Sequence, residues 1–226
     1  MKSFYWGLLC LLLVLTCKPK TSETPITEDL KELSIAQKIA NAHGFENFKN
    51  VETLKFTFNV DRDSIKGKGR NWVWKPKEDV VISERFNDTL QYTRSKIDST
   101  NINTDRAFIN DKFWLLVPFQ LVWDTSATLS EAKKMTSPIH KTPLHMITIT
   151  YSSEGGYTPG DAYDIFYDDK YLIKEWVFRK GNSKKPSLTT TFENYKDFNG
   201  IKIATEHKQE GGHWNLNFTN ITVTLK

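Results

Sequence analysis

The sequence predicts a mainly β fold with some α-helix: a long antiparallel sheet with one helix before it and a short helical insert. Most segments after residue 50 alternate between apolar and polar side chains, the period of a strand with one buried face. Turn-forming pairs such as Asn199-Gly200 and Gly211-Gly212 separate these segments. A sheet must bury one face, so the helices are expected to cover it.

The first helix is predicted from "TEDLKELSIAQKIANAHG", residues 27–44. Thr27 is the expected N-cap, and Gly44 stands where a helix commonly ends in a glycine. The apolar residues recur at helical spacing and predict one buried stripe: Leu30, Leu33, Ala36, Ile39 and Ala40. The helical insert is predicted near residues 129–135, where Thr128 and Glu131 have the spacing of a capping box.

Strands are predicted in "VETLKFTFNV", "GRNWVWKP", "DVVISERF", "LQYTRSKI" and "HMITITYS". The chain from residue 162 onward predicts a meander of five antiparallel strands, with a two-residue turn at Asn199-Gly200. In its last strand the apolar parity changes near Thr219 and Asn220, which predicts a β-bulge there.

The most apolar stretch outside the N-terminus is "FWLLVPFQLVWD", residues 113–124. Apolar side chains occupy both alternating sets from Phe113 to Phe119, so we interpret the stretch as a strand covered on both faces. One cover is then a helix, and the other is either further protein or the content of a cavity.

The N-terminus, "MKSFYWGLLCLLLVLTC", has a positive residue followed by an apolar run that is short for a membrane span. Its end, "VLTC", resembles the lipobox of bacterial lipoproteins, although Thr16 departs from the small residue usual before the cysteine. The resemblance implies a signal peptide over 1–16, lipidation of Cys17, a flexible tether over 17–26 and a single folded domain over 27–226. The expected location is the bacterial cell envelope, anchored by lipid, on the outer membrane facing the periplasm.

The composition and the spacing of residues argue against several kinds of site and partner. The two cysteines, Cys10 and Cys17, both lie in the N-terminal segment, so neither a disulfide nor a cysteine nucleophile is expected in the folded domain. A formal net charge of +4 is too small to predict a nucleic-acid partner. His140 with His145, His207 with His213, and the acidic residues of 161–169 do not have metal-ligand spacing, so neither a metal nor a cofactor is predicted. The serine hydrolase signature Gly-x-Ser-x-Gly is absent from the sequence.

A leading helix followed by a long antiparallel sheet on a lipid-anchored domain resembles the LolA/LolB-like fold. The resemblance implies an incomplete β-barrel closed by helices over an apolar cavity, in proteins that carry lipoproteins or bind lipids. "FWLLVPFQLVWD", "YDIFYDDKYLIKEWVFRKG" and "FENYKDFNGIKIATEH" are similar to an uncharacterised family of bacterial envelope lipoproteins.

The favoured hypothesis is therefore a non-enzymatic binding protein that holds a hydrophobic ligand in a half-barrel cavity. An acyl chain, a lipid or an acylated protein is the expected ligand. An interaction protein with a fully packed interior and an enzyme of unrecognised type remain as alternatives. Aromatic side chains suit an apolar ligand, and the predicted ligand-binding residues are Trp72, Trp74, Trp114, Phe119, Trp123 and Trp176. Phe113, Leu115 and Val117 are expected on the packed side of the same stretch.

Overall fold

The structure is a computed structural model, and it describes residues 32–85, 88–154 and 158–226. These residues form antiparallel strands and helices. In chain order the elements are α1 (Ile35–Ala42), α2 (Phe45–Phe48), β1 (Val51–Arg62), β2 (Arg70–Lys75), β3 (Val80–Arg85), β4 (Asp88–Thr93), α3 (Ile102–Trp123), β5 (Ala127–Leu129), β6 (Lys133–Thr136), β7 (Pro143–Tyr151), β8 (Ala162–Tyr167), β9 (Ile173–Arg179), β10 (Leu188–Thr191), β11 (Glu193–Phe198), β12 (Ile201–Lys208) and β13 (Trp214–Leu225).

The strands are arranged in two sheets. The first has the order β11-β12-β13-β1-β2-β3-β4, and the second has the order β10-β9-β8-β7-β5, with β6 also paired to β7. The sheets meet where β10 runs into β11 through Phe192, and there the Lys208 backbone N–H donates to Thr191 Oγ1 at 3.0 Å. At the opposite ends of this path lie β4 and β5, and α3 is the chain segment that connects them. The predicted fold class, an open antiparallel sheet covered by helices, is confirmed.

Helix α1 is shorter than predicted. It begins after Ser34, whose side chain accepts from the Gln37 backbone N–H while the Gln37 side chain accepts from the Ser34 N–H. Ala36, Ile39 and Ala40 form the buried stripe as predicted, and Gly44 follows the helix end with φ of +90°. Leu33 is a correction, since it precedes the helix and is exposed. Thr27 and Leu30 lie outside the described residues.

The first sheet buries the face that alternation predicts. Leu54, Phe56 and Phe58 of β1 are all buried. On the neighbouring strand Trp72 pairs with Phe56 and Trp74 pairs with Leu54, so the two tryptophans extend the same apolar face. Both are buried there, next to α3.

The largest correction concerns residues 113–124, which belong to α3 rather than to a strand. This helix lies between two apolar clusters. Leu115, Leu116 and Phe119 pack with the first sheet, and Phe113 and Val117 pack with the second. A helix buried on most sides is apolar at nearly every position, and its periodicity then resembles that of a doubly covered strand. Within the described residues we find no helix with the length and apolar character needed to cross a membrane.

The helical insert predicted at 129–135 is also wrong. Residues 127–136 form β5 and β6, two short pieces that pair in turn with the same edge of β7. Ser130, between β5 and β6, continues the hydrogen bonding with β7. Its N–H donates to the Thr148 carbonyl and its Oγ accepts from the Thr148 N–H, both at 2.9 Å. The edge of β7 thus offers more hydrogen bonds than the Thr128–Glu131 capping box.

The predicted five-strand meander is in fact six strands divided between the sheets: β8 to β10 belong to the second sheet and β11 to β13 to the first. The turn at Asn199-Gly200 is confirmed, with φ of +54° and +81° and with Phe198 paired to Ile201. The bulge is confirmed as well, because the register of β1 with β13 shifts beside Asn220, whose φ is +52°.

Candidate functional site

A cavity of about 730 Å³ lies between α3 and the second sheet. This volume is within the range of sites that enclose small organic ligands. The helix and its C-cap contribute Arg106, Ile109, Asn110, Phe113, Trp114, Gln120, Trp123 and Asp124 to the lining. The sheet contributes Tyr163, Trp176, Phe178 and Leu188, and connecting segments contribute Arg94 and Thr158.

The sheet wall of the cavity is a packed group of aromatic rings. Trp176 lies at the centre, with its ring 4.2 Å from Trp114 and 5.0 Å from Tyr163. Tyr163 in turn stacks on Phe178 at 5.1 Å, and its hydroxyl donates to Thr158 Oγ1 at 3.2 Å. Burial raises the pKa of Tyr163 to about 12, so its hydroxyl is neutral at physiological pH. The wall therefore offers an uncharged, largely apolar surface in a fixed position.

The helix wall is bent. Pro118 lies inside α3, where it removes a backbone donor and crowds the preceding turn, and Leu116 takes non-helical angles of φ −125° and ψ 29°. Ile109, Phe113 and Gln120 are separated by four and seven residues, which places them along one side of the helix. The cavity thus follows the helix on both sides of the bend.

Three residues of the lining also carry polar atoms that are buried away from the cavity surface without a partner. Gln120 is 2% exposed, and neither its Oε1 nor its Nε2 has a hydrogen-bond partner among the described residues. Asp124 Oδ2 and Trp176 Nε1 are also buried and have no partner among the described residues. Gln120 and Asp124 are one helical turn apart, since the Asp124 N–H donates to the Gln120 carbonyl at 3.0 Å.

Two basic side chains near the cavity, Arg94 and Lys112, are positioned by contacts with named neighbours. Arg94 Nε donates to Asp105 Oδ1 at 3.0 Å, and the Tyr92 hydroxyl donates to the same oxygen at 3.1 Å. Lys112 is buried behind the lining, with Nζ 5.3 Å from the Trp74 ring centre and 5.5 Å from that of Trp123. Burial, together with the charge of Arg94, lowers the pKa of Lys112 to about 7.

The structure separates the predicted ligand-binding residues into two groups. Trp114, Trp123 and Trp176 line the cavity. Trp72, Trp74 and Phe119 lie in the apolar cluster of the first sheet and are absent from the lining. Phe113, expected on the packed side, also lines the cavity. Cys17, the predicted lipidation site, lies outside the described residues.

Several lining residues were not predicted from sequence, among them Tyr163, Phe178 and Gln120. Tyr163 and Phe178 belong to alternating strands and resemble ordinary core positions. Gln120 had a visible signal, because it is the one polar residue between Phe113 and Trp123. A polar side chain inside so apolar a run needs a partner, and that requirement distinguishes it from its neighbours.

His140 and His145 each contact one carboxylate. His140 Nδ1 lies 2.7 Å from Glu175 Oε1, and the backbone N–H groups of Ile139 and His140 donate to the same carboxylate. His145 Nε2 lies 2.8 Å from Asp169 Oδ1. Over the residues that the structure describes, no group of three or more His, Cys, Asp or Glu side chains is arranged to hold a metal ion.

No family model matches this chain, and no curated protein matches its sequence. Among solved structures the chain is similar to a LolA superfamily protein from Nitrosomonas europaea, with 9% identity, a TM-score of 0.49, and coverage of 85% of this chain and 94% of that one. It is also similar to a domain named for outer membrane lipoprotein sorting, from Vibrio parahaemolyticus, with 11% identity, a TM-score of 0.43, and coverage of 84% and 93%. With TM-scores below 0.5 and identities this low, these similarities assign neither a family nor a function to the chain.

Proposed function

We propose that this chain is a non-enzymatic, extracytoplasmic binding protein that holds a hydrophobic ligand in the cavity between α3 and the second sheet. One observation supports the proposal above the others: a cavity of about 730 Å³ with a predominantly aromatic and aliphatic lining. The space is partly open to solvent, so a ligand has access to it, and a concave, mostly apolar surface with a few polar groups is typical of ligand-binding sites. An acyl chain, a lipid or an acylated protein matches the chemistry of the lining.

The test is the uptake of N-phenylnaphthylamine, an uncharged dye that fluoresces in apolar surroundings, by the purified domain without detergent. We expect saturable binding by the wild type and displacement by a long-chain amphiphile. Ile109→Glu places a carboxylate in the lining and is expected to weaken dye binding at least about tenfold, because the bound dye would desolvate that charge.

Ile65→Glu is the matched control, since Ile65 is 72% exposed and lies outside the cavity lining. Thermal unfolding of both variants checks that the fold is retained. A wild type that takes up no dye contradicts the proposal and favours an interaction protein with a packed interior. Equal loss in both variants also contradicts it.

The location is part of the same proposal, and it rests on the sequence "VLTC" at residues 14–17. Lipidation of Cys17 would hold the protein on the outer membrane, with the segment 17–26 as tether. Cys17→Ser is expected to move the protein from the membrane fraction to the soluble periplasmic fraction, because two acyl chains are needed for stable anchoring. Unchanged fractionation, together with a wild-type mass that shows no acyl groups, would contradict lipidation.

A further inference from the structure

We infer that the cavity takes an anionic amphiphile, with its carboxylate or phosphate head at the end bordered by Arg106 and its alkyl chain along the aromatic wall. The inference rests on the proposed function and specifies the class of ligand. It starts from the charges of the lining. Among the described residues, the charged members of the lining are two arginines, Arg94 and Arg106, and one acid, Asp124.

The cavity extends far along α3. Arg106 and Trp123 both border it, and they are 17 residues apart in the same helix. At the usual rise of an α-helix they lie about 25 Å apart, or somewhat less because the helix bends at Leu116. A volume of about 730 Å³ over such a length is long and narrow, which is the shape of an extended alkyl chain.

Positive charge lies at one end of this cavity. Arg94 Nε donates to Asp105 Oδ1 at 3.0 Å, and Asp105 precedes Arg106 near the start of α3, so both arginines border the same end. Asp105 offsets the charge of Arg94. Arg106 is exposed, and among the described residues its side chain has no ion pair or hydrogen bond. Its guanidinium is therefore accessible to a ligand, and its charge is not compensated by the protein.

The carboxylate of Asp124 does not cancel this charge. Asp124 follows Trp123 at the opposite end of α3. Its Oδ1 accepts from the Ser126 N–H at 3.0 Å and from the Ser126 hydroxyl at 2.6 Å, and its Oδ2 is buried away from the cavity surface. A ligand head beside Arg106 therefore meets positive charge, while the negative charge is distant and is directed toward the chain that follows the helix.

The chemistry of a guanidinium determines which head group fits. It is planar and donates two parallel hydrogen bonds to a carboxylate or a phosphate. A cationic head would be repelled at this end, and a neutral head would gain no ion pair. The alkyl chain then lies along Phe113, Trp114 and Trp176, which line the cavity, with the rings of Trp114 and Trp176 4.2 Å apart.

The experiment compares amphiphiles that share one alkyl chain: dodecanoate, dodecyl phosphate, dodecanol and dodecyltrimethylammonium. Each displaces N-phenylnaphthylamine from the purified protein at pH 8, below the concentration at which it forms micelles. At low ionic strength we expect both anions to bind at least about tenfold more tightly than the ammonium compound, because one sign of charge is attracted and the other repelled. Added salt should narrow this difference, since the head group lies at an exposed side chain.

Arg106→Gln removes the charge and keeps a polar side chain at the same position. We expect this variant to lose at least about fivefold in affinity for dodecanoate and less than about twofold for dodecanol, and to melt like the wild type. Arg106→Lys keeps the charge and should keep the preference for anions. Lys196→Gln is the matched control, because it removes an exposed positive charge on β11, outside the lining, and it should bind all four compounds like the wild type.

The outcomes separate the two proposals. If neither the dye nor any amphiphile binds, the proposed function fails and this inference fails with it. If the dye binds and the ammonium compound binds as tightly as the anions, the binding function stands and the anionic ligand is overturned. Equal losses of dodecanoate and dodecanol in Arg106→Gln, or the same loss of dodecanoate in Lys196→Gln, would overturn the role of Arg106.

Discussion

Gly44 and Gly200 meet backbone to backbone. A Cβ atom on Gly44, which has φ of +90°, would overlap the carbonyl oxygen of Gly200 in the β11–β12 turn. The same oxygen accepts a hydrogen bond of 2.9 Å from Asn47 Nδ2, and the His43 carbonyl accepts one of 2.9 Å from the Lys202 N–H. The junction of α1 with α2 is thereby fixed against the end of the first sheet.

We expect Gly44→Ala to lower the free energy of unfolding by about 3 kcal/mol or more, because backbone strain and a clash with a fixed carbonyl add together. Gly212→Ala is the matched control, with φ of +74° and open space around the added Cβ. It should lose only about 1 kcal/mol, the cost of the left-handed conformation. Urea denaturation measures both values, and equal losses would contradict the close approach of the two backbones.

Asp111 connects α3 to β2 and is fully buried. Its Oδ2 accepts from Arg70 Nε at 2.7 Å and from Trp72 Nε1 at 2.8 Å. Asp111→Leu is expected to lower the free energy of unfolding by about 3 kcal/mol, because it leaves a guanidinium and an indole N–H without their acceptor. Asp169→Leu is the control, since the Asp169 side chain is 91% exposed; a change within about 0.5 kcal/mol is expected there. Similar melting of the two variants would contradict a structural role for Asp111.

Lys112 gives the stability a dependence on alkaline pH. Its folded pKa of about 7 lies below the ordinary 10.5, so the unfolded chain binds the extra proton between these values. The free energy of unfolding should therefore rise with pH from about 7 to 10.5, by on the order of 4 kcal/mol. Lys112→Met should lack this rise and be the more stable protein near pH 6. Lys196→Met, at an exposed position, should retain the rise. Parallel pH profiles of Lys112→Met and wild type would contradict the assignment.

His207 makes the free energy of unfolding depend on pH in the acidic range. It is fully buried, and burial lowers its pKa to about 3 although its ring contacts the Thr191 carbonyl at 3.2 Å. The unfolded chain then binds the extra proton between pH 3 and 6.5, so the free energy of unfolding falls as pH falls through this window. His207→Leu should show a shallower fall than the wild type, and exposed His213→Leu should match the wild type. Urea denaturation midpoints at several pH values measure the fall in stability for each variant. If the midpoint of His207→Leu falls with pH as steeply as that of the wild type, the role assigned to His207 is contradicted.

Sequence patterns predicted the strands that bury only one face. Much of β1 and β13 alternates because one side meets the core and the other is more exposed. The turn at Asn199-Gly200 and the bulge beside Asn220 were predictable for a different reason, since both require unusual backbone angles or a change of parity. These features are encoded by neighbours along the chain.

Features that depend on distant parts of the chain were not predictable. Helix α3 is enclosed by two sheets, and this enclosure removes the amphipathic period that identifies a helix. The segment 127–136 became strand because β7 offers it an edge. Which of the tryptophans reach the cavity depends on the bend of α3 at Leu116 and on the position of the second sheet. No local pattern contains that information.

The pairing of β1 with β13 has a consequence for folding kinetics. Val51 pairs with Leu225 and Arg62 with Trp214. The central strand β1 of the first sheet therefore cannot complete its pairing until the segment at 214–225 has been added. Until that segment is in place, one edge of β1 has unpaired N–H and carbonyl groups next to the apolar side chains of Leu54, Phe56 and Phe58. The chain between β1 and β13 must lose conformational entropy before the two strands can form stabilising contacts. Pairing over so long a separation places folding in the millisecond-to-second range or slower. During that interval the exposed edge can pair with the same edge of another chain, and folding competes with aggregation at a rate that grows with concentration.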